Sequence, residues 1–216
     1  PRRKATDSSR ETSMPTAPAV TETARQTARI LMEIEAILFR PHDPFIFTSG
    51  RASPVYVDCR KIVGFPRARA ALMDMGVDLV KRAAGYEAFD VIAGGRSNLT
   101  YRATDTAGGI PSAAWMAERL GLPMTYIRKK PKGFGRNAQI EGNFRDGDRF
   151  LLVEDLATDG GSKINFIDAI EKAGAKVAHA FVIFHYGIFP QSVAKLRERG
   201  VSLHALATWW DALAVA

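Results

Sequence analysis

Three apolar runs constrain this 216-residue chain more than anything else in it: FDVIAGG at 89–95, RFLLVED at 149–155 and KVAHAFVIFH at 176–185. None keeps a strict alternation of apolar and polar residues, so they read as strands covered on both faces. Around them the spacing turns helical, over Pro66–Ala84 with Gly85 as a stop, Pro111–Leu120, Gly160–Ala173 and Gln191–Arg199. LPMTYIRK adds a strand, and VSLHALATWWDALAVA reads as a strand followed by a short helix. Such alternation predicts an α/β fold with a central, mainly parallel sheet flanked by helices. Upstream, Ala24, Thr27, Ile30, Leu31, Ile34, Ile37 and Leu38 recur at helical spacing, with Thr21 or Thr23 as caps, so one helix is expected through this stretch. FIFTSGRASPVYVD reads as two short strands around a turn at Ser49-Gly50-Arg51. The expected organisation is a flexible tail over 1–20, rich in Ser, Thr, Pro and charge, then a helix and short strands over 21–65, then a core over 66–216.

In parallel sheets, ligands bind beyond the carboxyl ends of the strands, where the strand order reverses. That rule selects Gly94-Gly95, Arg128–Lys132 and Glu154–Ser162 as three walls of one site. The stretch LLVEDLATDGGSK at 151–163 carries the clearest chemistry. Backbone N–H groups of Thr158–Ser162 at a helix amino terminus, with Thr and Ser hydroxyls beside them, suit a phosphate dianion. Glu154 and Asp155 can accept hydrogen bonds from vicinal sugar hydroxyls or assist a hydrated Mg²⁺. The same residue types also make turns and caps.

The formal net charge is +7, and residues 126–145 hold six basic side chains against one acid. Such a segment is either a solvated loop or a surface for polyanions, including a lid whose lysines meet phosphate oxygens as it closes. Gly133-Phe134-Gly135-Arg136-Asn137-Ala138 formally fits a dinucleotide fingerprint, but it does not lead straight from a strand into a helix. One cysteine, Cys59, excludes an internal disulfide and points to the cytoplasm. No run of eighteen apolar residues and no signal-peptide pattern is present, and four scattered histidines give no zinc motif.

VEDLATDGGS resembles the signature for 5-phosphoribosyl 1-pyrophosphate (PRPP) of type I phosphoribosyltransferases. FTSGRASPVYVDCR (47–60) resembles the amino-terminal segment of orotate phosphoribosyltransferases, and RKKPKGFGRNAQIEG (128–142) resembles their catalytic loop. The similarity runs from about Phe45 to Asp211 in the family's order. It implies the type I phosphoribosyltransferase fold, with 21–65 forming the amino-terminal helix and a small hood, and a mobile loop at about 129–142. The implied reaction moves ribose 5-phosphate from PRPP to N1 of orotate, giving orotidine 5′-monophosphate and pyrophosphate in de novo pyrimidine (UMP) biosynthesis. Its transition state has oxocarbenium character at the anomeric carbon.

By the same resemblance PRPP is held by Arg128, Lys129, Lys132, Glu154, Asp155, Leu156, Ala157, Thr158, Asp159, Gly160, Gly161 and Ser162. Lys129, Lys132 and Asp155 are the catalytic candidates, and Tyr56, Thr158 and His185 the orotate-contacting ones. Mg²⁺ is expected mainly on PRPP and pyrophosphate, with no dedicated protein ligand, and a homodimer with shared sites is implied. Some positions depart from the family's pattern. Phe134 stands where many members have histidine, and Phe184-His185-Tyr186 stands where an orotate-contacting arginine occurs. Gly108 and Thr48 replace lysines of some members, and RSNLTYRATD (96–105) reads as an insertion expected to bulge into solvent. These leave two other functions open: a phosphoribosyltransferase for another nucleobase, and a non-catalytic PRPP- or RNA-binding regulator. The chain has no RNA-binding motif, so nucleic acid is not an expected partner.

Overall fold

The computed structural model describes residues 20–46, 50, 52–95, 108–128, 139–158, 161–188 and 190–216. The sequence-predicted tail (Val20 apart), the 96–105 insertion, Thr48, Phe134 and the fingerprint-like 133–138 lie outside these residues, as do Lys129, Lys132, Asp159 and Gly160.

Helix α1 (Glu22–Glu33) begins at Thr21, whose hydroxyl accepts from the Ala24 N–H at 3.2 Å. The periodicity predicted that it would run on through Leu38. It stops instead at Ile34: Glu35 takes a left-handed φ of 55°, and the Ala36 N–H turns back to the Leu31 carbonyl at 2.7 Å. Strand β1 (Ile37–Phe39) follows and pairs antiparallel with β4 (Val55–Val57), while β2 (Phe45–Ile46) pairs with β3 (Ala52–Ser53). An apolar residue at 37 serves helix and strand equally well, and the strand partner decided between them. A 3₁₀ turn (Cys59–Gly64) leads into α2 (Pro66–Ala84), which carries proline at its start and ends at Gly85.

The core alternates as expected: β5 (Val91–Gly95), α3 (Gly109–Leu120), β6 (Met124–Ile127), β7 (Ile140–Glu141), β8 (Arg149–Ala157), α4 (Gly161–Lys172), β9 (Lys176–His185), α5 (Pro190–Glu198), β10 (Ser202–Thr208) and α6 (Trp209–Leu213). The sheet order is β10-β9-β8-β5-β6-β7, parallel except for β7. From β5 the chain moves one way to β6 and later returns on the other side of β5 to lay down β8. The order therefore reverses between β5 and β8.

Each face of the sheet has its own apolar layer. Leu151 and Val153 pack with Leu31, Leu72, Met73, Met116 and Phe181 under α1, α2 and α3. Phe150 and Leu152 pack with Phe166, Ile167, Ile170 and Leu196 under α4 and α5. Each such side chain contributes roughly 1.5–3 kcal/mol when fully buried. The amino-terminal strands are joined to the sheet by aromatic rings, with Phe39 stacked on Trp209 at 5.7 Å and Tyr186 on its ring at 6.2 Å. Burial, offset by a hydrogen bond with the Val57 backbone, pushes the Tyr186 phenol up to about 12. Among the described residues no helix is long and apolar enough to cross a membrane.

Candidate active site

The reversal of strand order puts the ends of β5 and β8 side by side, with Gly94 opposite Val153, and β6 on the other flank, with Ile127 opposite Gly95. The structure thus brings together the described parts of the three walls that the sequence selected, Gly94-Gly95, Arg128 and Glu154–Thr158. Space here is made by missing side chains. A Cβ on Gly95 would lie 2.5 Å from the Phe166 ring and 2.8 Å from Glu154 Oε1. One on Gly108 would lie 2.2 Å from Asp155 Oδ2, so any larger residue at this position would have to displace the Asp155 carboxylate.

Adjacent strand residues point to opposite faces, and the two acids obey this. Glu154 is on the α4 side, 2 % exposed, and its Oε2 accepts from Lys163 Nζ at 2.5 Å. Lys163, also 2 % exposed, donates as well to the Leu156 carbonyl at 2.8 Å. Asp155 is on the other side, partly buried against Gly108 at the start of α3. The acids expected to hold one sugar together are therefore separated by the sheet. Burial first, and then the charge of Glu154, push the Asp155 carboxyl up to about 6, with Lys163 and Arg60 pulling the other way.

Near enough to Asp155 to interact with it electrostatically is a small polar cluster from β4 and the 3₁₀ turn that follows it. Arg60 donates to Asp58 through Nε (2.5 Å) and Nη2 (2.8 Å), and Nη2 also reaches the Tyr56 hydroxyl at 3.2 Å. These bonds to Asp58 raise the guanidinium above its ordinary value. Burial, and then the charges of Asp155 and Asp58, push the Cys59 thiol well up and keep it protonated. Tyr56, expected near an acceptor ring, is thus placed on the Asp155 side, its ring 5.5 Å from Phe45.

The remaining expected residues fall as follows. Leu156 is partly buried and Ala157 buried, while Thr158, Gly161 and Ser162 are exposed around the start of α4, where helix N–H groups can meet an anion. Arg128 stands at the stem of the basic loop. Its N–H donates to the Gln139 carbonyl at 2.8 Å, its Nε pairs with Glu141 at 2.9 Å, and its guanidinium lies 5.9 Å from the Tyr126 ring centre. His185 is 8 % exposed at the end of β9, and burial and then the Lys163 charge lower its proton affinity. Sequence reasoning assigned no role to Arg60 or Lys163, although both stand inside the quoted motifs, and Gly108 drew notice only as a missing lysine. Among the described residues no three His, Cys, Asp or Glu side chains are grouped to grip a metal.

Residues 106–199 match the family model described as phosphoribosyl transferase domain. The chain is 58 % identical over 195 residues to an orotate phosphoribosyltransferase of Cereibacter sphaeroides, covering 90 % of this chain and 80 % of that protein. The chain belongs to the orotate phosphoribosyltransferase family. Another member, from Sinorhizobium medicae, is 51 % identical over 193 residues, or 89 % of this chain and 79 % of that one. The crystal structure of orotate phosphoribosyltransferase from Aeropyrum pernix superposes with a TM-score of 0.71 at 29 % identity, covering 87 % of this chain and 96 % of that one. The central sheet with its flanking helices and amino-terminal strands is the type I phosphoribosyltransferase fold, and membership of this family makes the chain a pentosyltransferase.

Proposed function

We propose that this chain transfers the 5-phosphoribosyl group of PRPP to N1 of orotate, releasing pyrophosphate and forming orotidine 5′-monophosphate for UMP synthesis. The observation that carries the reading is one carboxylate, Asp155, set between the amino-terminal cluster and the start of α3 at the reversal of strand order. From there Asp155 accepts the ribose hydroxyls and faces the positive charge that grows at the anomeric carbon. Residues Thr158 to Ser162 hold the 5-phosphate, and Arg128, Lys129 and Lys132 meet the departing pyrophosphate. Tyr56 lies on the acceptor side.

One carboxylate with substrate phosphates is the donor set that Mg²⁺ commonly uses, because it keeps several of its waters. Asp155 is the described residue that fits, and the ion would neutralise charge on the pyrophosphate. We further propose a homodimer with shared sites, working in the cytoplasm. The test is release of pyrophosphate from PRPP that requires both orotate and Mg²⁺; saturable PRPP binding without turnover overturns the reading.

A second acceptor is favoured by one observation: His185 is buried and held neutral, so it does not offer a charge to orotate's carboxylate. Calorimetry with a panel of nucleobases in the presence of pyrophosphate separates the two. A base that binds more tightly than orotate would replace it as the acceptor.

A further inference from the structure

Lys163 is in the wrong place for stability alone. A cation in the first turn of a helix opposes the helix dipole. Burying it costs desolvation that an ion pair repays only in part, and an apolar side chain of similar size is often the more stable choice. Yet Lys163 sits two residues into α4, 2 % exposed, with its ammonium on two acceptors from the end of β8. Those acceptors are Glu154 Oε2 at 2.5 Å and the Leu156 carbonyl at 2.8 Å, and both precede Thr158. The side chain therefore ties the end of β8 to the first turn of α4. It also engages the Glu154 carboxylate on the α4 side of the sheet, away from Asp155.

We infer that Lys163 is a positioning residue for the phosphate of the sugar substrate: its tether from α4 to Glu154 and Leu156 sets the spacing of Thr158, Gly161 and Ser162. Glu154 then acts as the anchor of that tether, and Asp155 alone presents a carboxylate to the sugar hydroxyls. This rests on the proposed use of PRPP and adds a part that the reaction by itself does not assign. A phosphate held by backbone N–H groups is sensitive to their spacing, since a displacement of about 1 Å in a binding group can cost about a hundredfold in rate.

The experiment compares the full chain with Lys163→Met and with the neutral double variant Glu154→Gln/Lys163→Met, which leaves no unpaired buried charge. Ribose 5-phosphate is the probe for binding by calorimetry, followed by the KM for PRPP and the pH dependence of kcat/KM. Both variants are expected to bind ribose 5-phosphate about tenfold or more weakly, with KM for PRPP rising more than kcat falls. The single variant also moves the acid limb of the profile to higher pH, because Asp155 loses a nearby cation, and the double variant brings it back. If the single variant does not fold, the double variant decides. A double variant that melts like the parent and binds ribose 5-phosphate within about twofold overturns the inference, since a tether of the phosphate turn must cost affinity. Orotate-dependent pyrophosphate release by the parent is followed in parallel. Its absence overturns the proposed reaction, whereas the twofold result removes only the part given to Lys163.

Discussion

The two sides of the end of β8 are built on opposite terms. On the α4 side Glu154 is closed in, paired with Lys163 and packed by Gly95 and Phe166. On the α3 side Asp155 lies against a glycine and near a polar cluster, and burial raises its proton affinity. In the proposed reaction, neighbouring acids of one strand thus divide the labour, one anchoring structure and the other facing chemistry. A buried charge that is fully paired is held in place by its partner, whereas charge kept under-compensated is available to a substrate.

Four perturbations can break or sharpen that division. The largest effect is expected from Asp155→Asn, which should lower kcat/KM by about 10²–10³-fold, the usual cost of one preorganised electrostatic partner. Its thermal stability at neutral pH should hold or rise. The native carboxyl, at about 6, binds a proton more readily than the ordinary value of 3.8 allows. Its contribution to stability is therefore present below about pH 4 and is lost as pH rises through about 6. The parent's kcat/KM should correspondingly fall on the acid side near pH 6, and melting curves with pH–rate profiles check both statements.

Lys163→Met should act in the opposite sense on stability. Removing one member of a buried ion pair typically costs about 3–5 kcal/mol, readable by denaturant unfolding. If this variant were as stable as the parent while Asp155→Asn were strongly destabilised, the division of roles would be reversed. Gly108→Ala comes next: its methyl would fall on Asp155 Oδ2, so the carboxylate must move, with a loss of about 10–10²-fold in kcat/KM. Asp74→Asn is the baseline. Its ion pair with Arg119, at 2.5 Å, leaves the aspartate two-thirds exposed, and its loss should cost about 0–1 kcal/mol with activity unchanged.

Much of the fold was legible because its signals are local. The apolar runs of β5, β8 and β9, the proline at the start of α2 and Gly85 at its end all appear as predicted, as does Thr21 at the head of α1. The exceptions were Ile37-Leu38, where one apolar pattern serves two elements and pairing with Val57 and Tyr56 settled the matter, and the stretch read as two strands around Gly50, which holds three, β2, β3 and β4. In the site, the stretch 151–163 was visible as a motif that the topological rule set at one sheet end, whereas Tyr56 came only from the family resemblance. Gly108 drew notice only as a departure from the family, and its steric reason was hidden because absence of a side chain matters only when its neighbour in space is known.

By itself, then, the sequence determined the alternation of strands and helices, the stretch proposed to bind phosphate and the family to which these motifs belong. Only tertiary structure decided which carboxylate faces which partner. The sequence shows three acids and a lysine within ten residues, but the pleat sends Glu154 and Asp155 to opposite faces. The side on which each finds a cation, a glycine or an aromatic ring depends on helices and strands that are distant in the chain. Electrostatics follows distance and burial, and neither is written in the spacing of letters.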